Sequence, residues 1–253
     1  PNTSSAASDV YKRQNKYRLF LMNNLWENTS KEKENFSQDP ESINTDLLIV
    51  GGGFTGCSAA LEAAKQGAKA VLLECETIGF GGSGRNVGLV NAGLWLPPKK
   101  IISILGEEQG RTLISALASA PDLVFSIIEE NQIKCDPERN GTLHCAHSEK
   151  GMEYLSERFD QGEIFGEPLT LINKIETEHK LGSSKFFGSL HDARAGTIQP
   201  LAYCRGLARK AKELGVKIYE KSRVSHFRKQ NGIWKTYVRG IEIKSKYLSL
   251  IHI

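Results

Sequence analysis

Two short, unbroken apolar runs stand out in a chain of otherwise mixed polarity. Leu47, Leu48, Ile49 and Val50 form the first, and Ala70 to Leu73 the second. Runs of that length without alternation are those of strands buried on both faces. Between them CSAALEAAKQG is rich in helix formers and ends at Gly67. Further on, Leu113, Leu117, Leu123, Val124, Ile127 and Ile128 recur at spacings that suit one or two amphipathic helices between Ile101 and Ile133. Pro121 is expected to begin the second of these, where a missing N–H costs least. Arg139-Asn140-Gly141 is a turn signal, and Thr142 to His147 then reads as a strand. The pattern continues with a helix over Glu149–Phe159, a strand over Leu169–Ile172, a helix over Ile175–Leu181 and a strand over Lys185–Leu190. Pro200 opens a strong helix that Gly215 closes, and Val216 to Tyr219 follows as a strand. GIWKTYVRG then begins a hairpin or meander. The alternation of strand and helix predicts an α/β fold.

The first two runs enclose a glycine turn. Gly51, Gly53 and Gly56 follow Val50 in G-x-G-x-x-G spacing, and Glu74 closes the second run, 18 residues beyond Gly56. Gly51 permits a tight turn, Gly53 lets backbone approach a pyrophosphate, and Gly56 lets helix and strand pack closely. The helix start offers N–H groups and the positive end of its dipole to phosphates. A carboxylate at the position of Glu74 accepts bonds from ribose hydroxyls. Strand, glycine turn, helix, strand and acid in this order predict a dinucleotide site. A second glycine-rich loop, ETIGFGGSGRN, comes directly after Glu74. A nicotinamide-binding domain has no need of it.

Composition narrows the picture. The chain has 253 residues, 40% hydrophobic and 25% charged, with a net charge of +4. That is enough for one large or two small soluble domains. No run approaches the roughly 20 apolar residues of a membrane span, and no signal peptide is visible, so the cytoplasm is the expected compartment. The five cysteines, Cys57, Cys75, Cys135, Cys145 and Cys204, show no regular spacing and read as reduced thiols, with Cys57 and Cys75 as packing residues. The positive charge between Arg205 and Lys246 carries no nucleic-acid motif and reads as a solvated helix face. His144 and His147 point to opposite faces of a strand, and no carboxylate or cysteine has fitting spacing, so no metal site is expected.

The loop GFGGSGRN resembles the one after the second strand in the D-amino-acid oxidase-like family of FAD-dependent oxidoreductases, most of all in the branch containing gamma-glutamylputrescine oxidase, where the form is close to GWGASGRNGG. The resemblance runs from about Thr45 to Val224. It implies an FAD-binding Rossmann-like domain of the glutathione-reductase type with an inserted α+β substrate domain. It places Gly51, Gly53, Phe54, Thr55 and Gly56 at the FAD pyrophosphate and Glu74 on the adenosine ribose. Ser83 and Gly84 fall near the pyrophosphate or ribityl chain, Arg85 and Asn86 near the flavin ring, and the Val224 backbone near the adenine. Outside the motif, Arg85 reads as a solvated loop charge and Val224 as a core valine. Asn91 and Trp95 are candidates to face the active site; as isolated residues they read as a turn amide and a core aromatic. Val87 stands where the branch often has glycine.

The implied organisation is a leader over residues 1–44, an FAD-binding segment over 45–98, a substrate-domain insertion over 99–194 and a return to the FAD-binding domain over 195–247. Residues 1–14 and 248–253 resemble read-through of sequencing-adaptor DNA and are expected to be foreign. The family's later A-T-G-like turn, further substrate-domain strands and C-terminal glycine-rich segment are absent, so the chain is expected to be about the N-terminal half of the enzyme. The implied activity is oxidation of the C–N bond of an amine or amino acid by hydride transfer to flavin, with oxygen or another electron acceptor. The alternatives are a flavin-dependent hydroxy-acid dehydrogenase and a non-catalytic FAD-binding fragment. No catalytic residue is assigned.

Overall fold

The computed structural model describes residues 24–36, 39–94 and 96–250. The expected foreign N-terminal tail, the apolar residues Leu19 to Met22 and Trp95 lie outside them. In chain order the described elements are α1 (Leu25–Thr29), β1 (Ile43–Val50), α2 (Phe54–Lys65), β2 (Ala70–Leu73), a 3-10 turn (Gly82–Gly84), β3 (Leu89–Val90), α3 (Pro98–Leu105), α4 (Glu107–Glu130) and β4 (Thr142–Ala146). Then come α5 (Glu149–Ile164), β5 (Leu169–Ile172), α6 (Lys174–Leu181), β6 (Gly188–Asp192), β7 (Gly196–Thr197), α7 (Pro200–Glu213), β8 (Lys217–Tyr219), β9 (Val224–Gln230), β10 (Ile233–Val238) and β11 (Ile241–Leu250). They divide into two compact units, Pro1–Arg85 with Gln199–Ile253, and Asn86–Ile198.

The first unit is built on a six-stranded sheet in the order β8-β2-β1-β11-β10-β9. β8, β2, β1 and β11 run parallel, and β10 and β9 continue antiparallel as a meander. The two apolar runs sit side by side as interior strands, Leu47 opposite Ala70 through Val50 opposite Leu73. Leu48, Val71 and Leu73 join Tyr219, Val238 and Ile243 in one buried cluster. On the other side of β1, α2 buries Cys57, Ala60 and Leu61, and packs on α7, whose buried face includes Cys204, Leu207, Ala208 and Ala211. Leu248 to Leu250, part of the segment expected to be foreign, pair in register with Leu48 to Val50.

Several cations of the late basic tract are paired with acids, and Lys212 and Lys217 remain solvent-exposed while paired. Glu27 holds Arg205 at 2.8 Å, Glu32 holds Arg209 at 3.0 Å, Glu34 holds Lys212 at 2.6 Å, and Glu41 pairs with Lys217. The described part of the leader is thus tied to α7 and β8, fastened also by Gln199 Nε2, which donates to the Trp26 carbonyl at 2.6 Å. The partners are some 180 residues apart in sequence, so no local pattern announced them. Glu32 is the most enclosed of these acids, its side chain only 5% exposed. Removing it as Glu32→Ala is expected to cost about 1.5–3 kcal/mol, the range for hydrogen bonds to charged groups. Glu32→Gln, which keeps one acceptor, is expected to lose less. Thermal unfolding of both variants checks this, and unchanged midpoints would show that the leader is not held by this contact.

The second unit has a three-stranded antiparallel sheet, β4-β6-β5, and a small β3-β7 pair. Ala146, Leu155 and Leu190 form its core with Met152, Phe159, Leu169 and Leu171, so α5 covers one face. Ser189, adjacent to Leu190 and therefore pointing the other way, meets Thr177 of α6 at 2.9 Å. β6 is displaced from the expected Lys185–Leu190 to Gly188–Asp192. Its polar end, His191-Asp192, lacks strand character but pairs with Leu143-Thr142 on one side and Thr170-Leu169 on the other. Pro121 does not begin a helix: it lies inside α4, on one buried stripe with Gly110, Ile114 and Ile128. Burial of its ring there offsets the lost backbone bond. The break comes instead at Gly106, whose φ of 84° ends α3 and starts α4. Among the described helices α4 alone is long and apolar enough to cross a membrane by length and composition. It also carries Asp122, paired with Arg139.

Candidate functional site

In the first unit the chain leaves β1 at Gly51, with φ at 113°, and enters α2 through Gly53. Close approach requires glycine at position 56 and favours it at position 53. A Cβ on Gly56 would lie 1.9 Å from the Gly51 carbonyl oxygen, and one on Gly53 would lie 2.8 Å from Ser83 Oγ. Phe54 and Thr55 form the first turn of the 12-residue α2. The Phe54 N–H donates to Ser83 Oγ at 3.0 Å, so the second glycine loop folds onto the helix start.

Glu74 lies at the same turn. Its Oε2 accepts from the Gly52 N–H at 2.6 Å and its Oε1 from the Glu76 N–H at 2.8 Å. The carboxylate is therefore fixed beside the glycine turn before any ligand arrives. In the second loop a Cβ on Gly84 would strike the Gly79 carbonyl at 2.2 Å, whereas Gly81 and Gly82 border open space. Arg85 stacks its guanidinium over the Phe80 ring at 4.2 Å. Asn86 belongs to the second unit, where its Oδ1 accepts from the Gly88 N–H at 2.8 Å. Val87, at the position where the resembling branch often has glycine, is 72% exposed. Val224 opens β9 and packs its side chain on the Leu48–Ile243 cluster.

Long-range partners complete the turn and were not visible in the sequence. The Glu74 N–H donates to the Tyr219 carbonyl at 2.9 Å, and the Ser222 N–H to the Glu74 carbonyl at 2.7 Å. Glu220, nearly buried, accepts from the Ile78 N–H at 2.7 Å. Burial pushes its carboxyl above the usual range, opposed by that hydrogen bond. Of the two cysteines expected to be packing residues, Cys57 is fully buried, with its Sγ 3.9 Å from Cys204 Sγ. Cys75 is exposed, which corrects that expectation. Partial burial and the Glu74 carboxylate push its thiol up to about 11, leaving it a poor nucleophile at neutral pH.

The second unit has a cavity of about 520 Å³ of its own. Asn91 lines it and accepts from Thr142 Oγ1 at 3.5 Å. His144 and Arg158 line it too, Nδ1 and Nη1 lying 3.4 Å apart. Burial, followed by the charge of Arg158, holds the His144 imidazole below its ordinary pKa. His147 lies just beyond β4, against the Phe186 ring.

The family described as DAO, FAD dependent oxidoreductase, matches residues 46–247. The chain belongs to this family. The probable oxidoreductase OrdL of Haemophilus influenzae is 35% identical over 191 residues, covering 75% of this chain and 44% of that protein. Gamma-glutamylputrescine oxidoreductase of Escherichia coli is 34% identical over 186 residues, 73% of this chain and 43% of that one. The chain spans less than half the length of these two relatives. Glycine oxidase from Geobacillus kaustophilus shares the fold with a TM-score of 0.69 at 21% identity, over 82% of this chain and 55% of that structure. DAO family membership makes FAD the cofactor. The residues present suit its dinucleotide: a glycine turn at a helix N-terminus, a carboxylate fixed beside it, and open space along Gly81 and Gly82.

Proposed function

We propose that the protein is an FAD-dependent oxidoreductase that oxidises the C–N bond of an amine or amino acid. The observation that carries this reading is the second glycine loop, Gly79 to Arg85, folded onto the first through Ser83 and Phe54. The relationship to an oxidoreductase named for a polyamine derivative supports the substrate class. When bound, FAD would supply the redox chemistry, as the acceptor of a hydride from the carbon that bears a neutral amine. Backbone of Gly51, Gly53, Phe54, Thr55 and Gly56 would hold the pyrophosphate. Glu74, using the lone pair not spent on Gly52, Glu76 and the Cys75 thiol, would accept from the ribose hydroxyls. Ser83 and Gly84 would line the path toward the ribityl chain, with Arg85 and Asn86 toward the ring and the Val224 backbone toward the adenine. Arg85, aligned by Phe80, would stabilise negative charge that develops there. Oxygen or another acceptor would complete the cycle.

The test is an absorbance spectrum of the purified chain after FAD is supplied and excess removed. Retained flavin bands that bleach anaerobically with an amine, releasing ammonia or a smaller amine, are the expected result. Bleaching by a hydroxy acid with no amine released would transfer the activity to the C–O bond. Retained FAD with no bleaching by either would make this chain a binding fragment. A colourless chain would show that these residues alone do not hold FAD.

A further inference from the structure

Glu220 is a buried acid that the proposed chemistry does not use, and it stands at the base of the second glycine loop. It follows β8 directly, where the backbone is firmly held. The Lys221 N–H donates to the Glu76 carbonyl at 2.7 Å, beside the bonds that Tyr219 and Ser222 make with Glu74. Lys221 itself takes a left-handed φ of 51°, and Ser222 Oγ closes the turn on the Glu220 carbonyl at 2.8 Å. From this fixed turn Glu220 Oε1 accepts the Ile78 N–H at 2.7 Å, and the next N–H, that of Gly79, donates to the Gly52 carbonyl at 2.9 Å. Two consecutive N–H groups thus tie the loop, one to Glu220 and one to the first glycine turn. The middle of the loop, Gly81 and Gly82, borders open space. Its course is therefore set where it is tied: at this base, at Ser83 and against Leu201 of α7.

A carboxylate in this place is costly to the ligand-free fold. Burial disfavours its charge and Glu74, at the end of β2, adds a like charge; the Ile78 bond, Arg205 of α7 and Lys221 oppose them. The Cys57 thiol of α2, held well above its ordinary pKa by Cys204 and by burial, adds no charge. What the carboxylate provides is a charged acceptor, which holds an N–H more strongly than a neutral one. We infer that Glu220 is a positioning residue of the FAD site, holding the base of the second glycine loop in the shape that the dinucleotide meets. Affinity then scales with the fraction of chains whose loop has that shape. The inference needs FAD as the cofactor and is independent of which bond is oxidised. It also sets two pH dependences of opposite sign. Protonation turns one oxygen into a donor and weakens the hold on Ile78, so FAD affinity is full at neutral pH and falls as the pH drops through the titration of Glu220. The ligand-free fold behaves the other way. With the folded pKa raised, the stability contributed by this group is fully present below the pKa of an unfolded glutamate and is lost as the pH rises through the folded one.

The experiment titrates the full chain with FAD, read by flavin fluorescence, from about pH 4.5 to 8. It is repeated on Glu220→Gln and Glu220→Leu, with the ligand-free thermal midpoint and the hydrogen exchange of the Ile78 and Gly79 amides measured beside it. The unaltered chain is expected to lose about threefold to tenfold in affinity toward the acid end. Glu220→Gln, which keeps an acceptor without the charge, should be weaker by about that factor at neutral pH and should lose most of the acid limb, although Glu74 is unchanged. Its ligand-free midpoint should hold or rise, because the buried charge is gone; a residue that served the fold alone would not lose affinity while the midpoint holds. Glu220→Leu, with no acceptor, should lose about tenfold or more and speed exchange at Ile78. A Glu220→Gln chain that binds FAD as tightly as the unaltered one at neutral pH overturns the inference, as does one that keeps the whole acid limb. An unaltered chain that takes up no FAD overturns it too, since the loop would not then be held ready. Should the leucine variant fail to fold, the glutamine variant still decides. FAD held through Glu220 but not bleached by any amine would keep this inference and remove the proposed reaction; bleaching by an amine with an affinity indifferent to Glu220→Gln would do the reverse.

Discussion

Gly56→Ala is expected to release FAD and to lower the thermal midpoint by roughly 6–12 °C. The added methyl would stand 1.9 Å from the Gly51 carbonyl oxygen, which is backbone and cannot rotate away as a side-chain tip could. Relief requires α2 to back away from the end of β1. Overpacking of this kind costs about 1–3 kcal/mol or more, and here the upper end applies because a methyl on the helix meets backbone in the tight turn directly after β1. For a domain of this size each kcal/mol moves the midpoint by about 2–4 °C. FAD retention should suffer more than stability. The N-terminus of α2 is the part displaced, and it is also the proposed pyrophosphate seat. Gly82→Ala is the companion measurement: its Cβ meets nothing within 4 Å, so the ligand-free midpoint should hold. A folded Gly56→Ala chain that keeps flavin bands through desalting would contradict the close packing of helix and turn.

The parts of this structure legible in the sequence are those set by local chemistry. The runs Leu47–Val50 and Ala70–Leu73 became adjacent central strands because an unbroken apolar run can be satisfied only inside a sheet covered on both faces. Gly51, Gly53 and Gly56 were readable because their spacing is itself the geometry of the turn. Pro121 was misread by position alone: proline starts helices by preference, but here its ring shares a buried stripe with Ile114 and Ile128, and tertiary packing prevailed. The pairing of Arg205, Arg209 and Lys212 left no trace in the sequence because their acids sit in the leader, beyond the reach of any periodicity. Glu220 and Ser222 carried no signal, since their role depends on β8 arriving beside β2. The cavity lining is a further case. Asn91 was singled out, while Arg158, on a helix with an ordinary amphipathic pattern, gave no sign that it lines the cavity.

Glu74→Gln is expected to weaken FAD binding by about tenfold to a hundredfold, and the reason lies in how completely the carboxylate is used. Each of its oxygens already accepts a backbone N–H, from Gly52 and from Glu76. A glutamine offers one acceptor and turns an amine toward the other N–H, so one donor loses its partner and the loop end nearest the glycine turn loosens. Hydrogen bonds to a charged acceptor contribute about 1.5–3 kcal/mol each, and 1.4 kcal/mol is a factor of about ten in affinity. Two roles are then separable. If Glu74 only fastens the loop, the ligand-free midpoint falls and FAD affinity follows only as far as the loop has loosened. If it also accepts from the ribose, affinity falls further than the midpoint implies, and the midpoint gain on adding saturating FAD shrinks as well, because that gain depends on concentration relative to the dissociation constant. Measuring the midpoint with and without FAD, beside a direct titration, distinguishes the two. A variant with a lowered midpoint and an undiminished FAD affinity would confine Glu74 to the loop and leave the ribose to some other group.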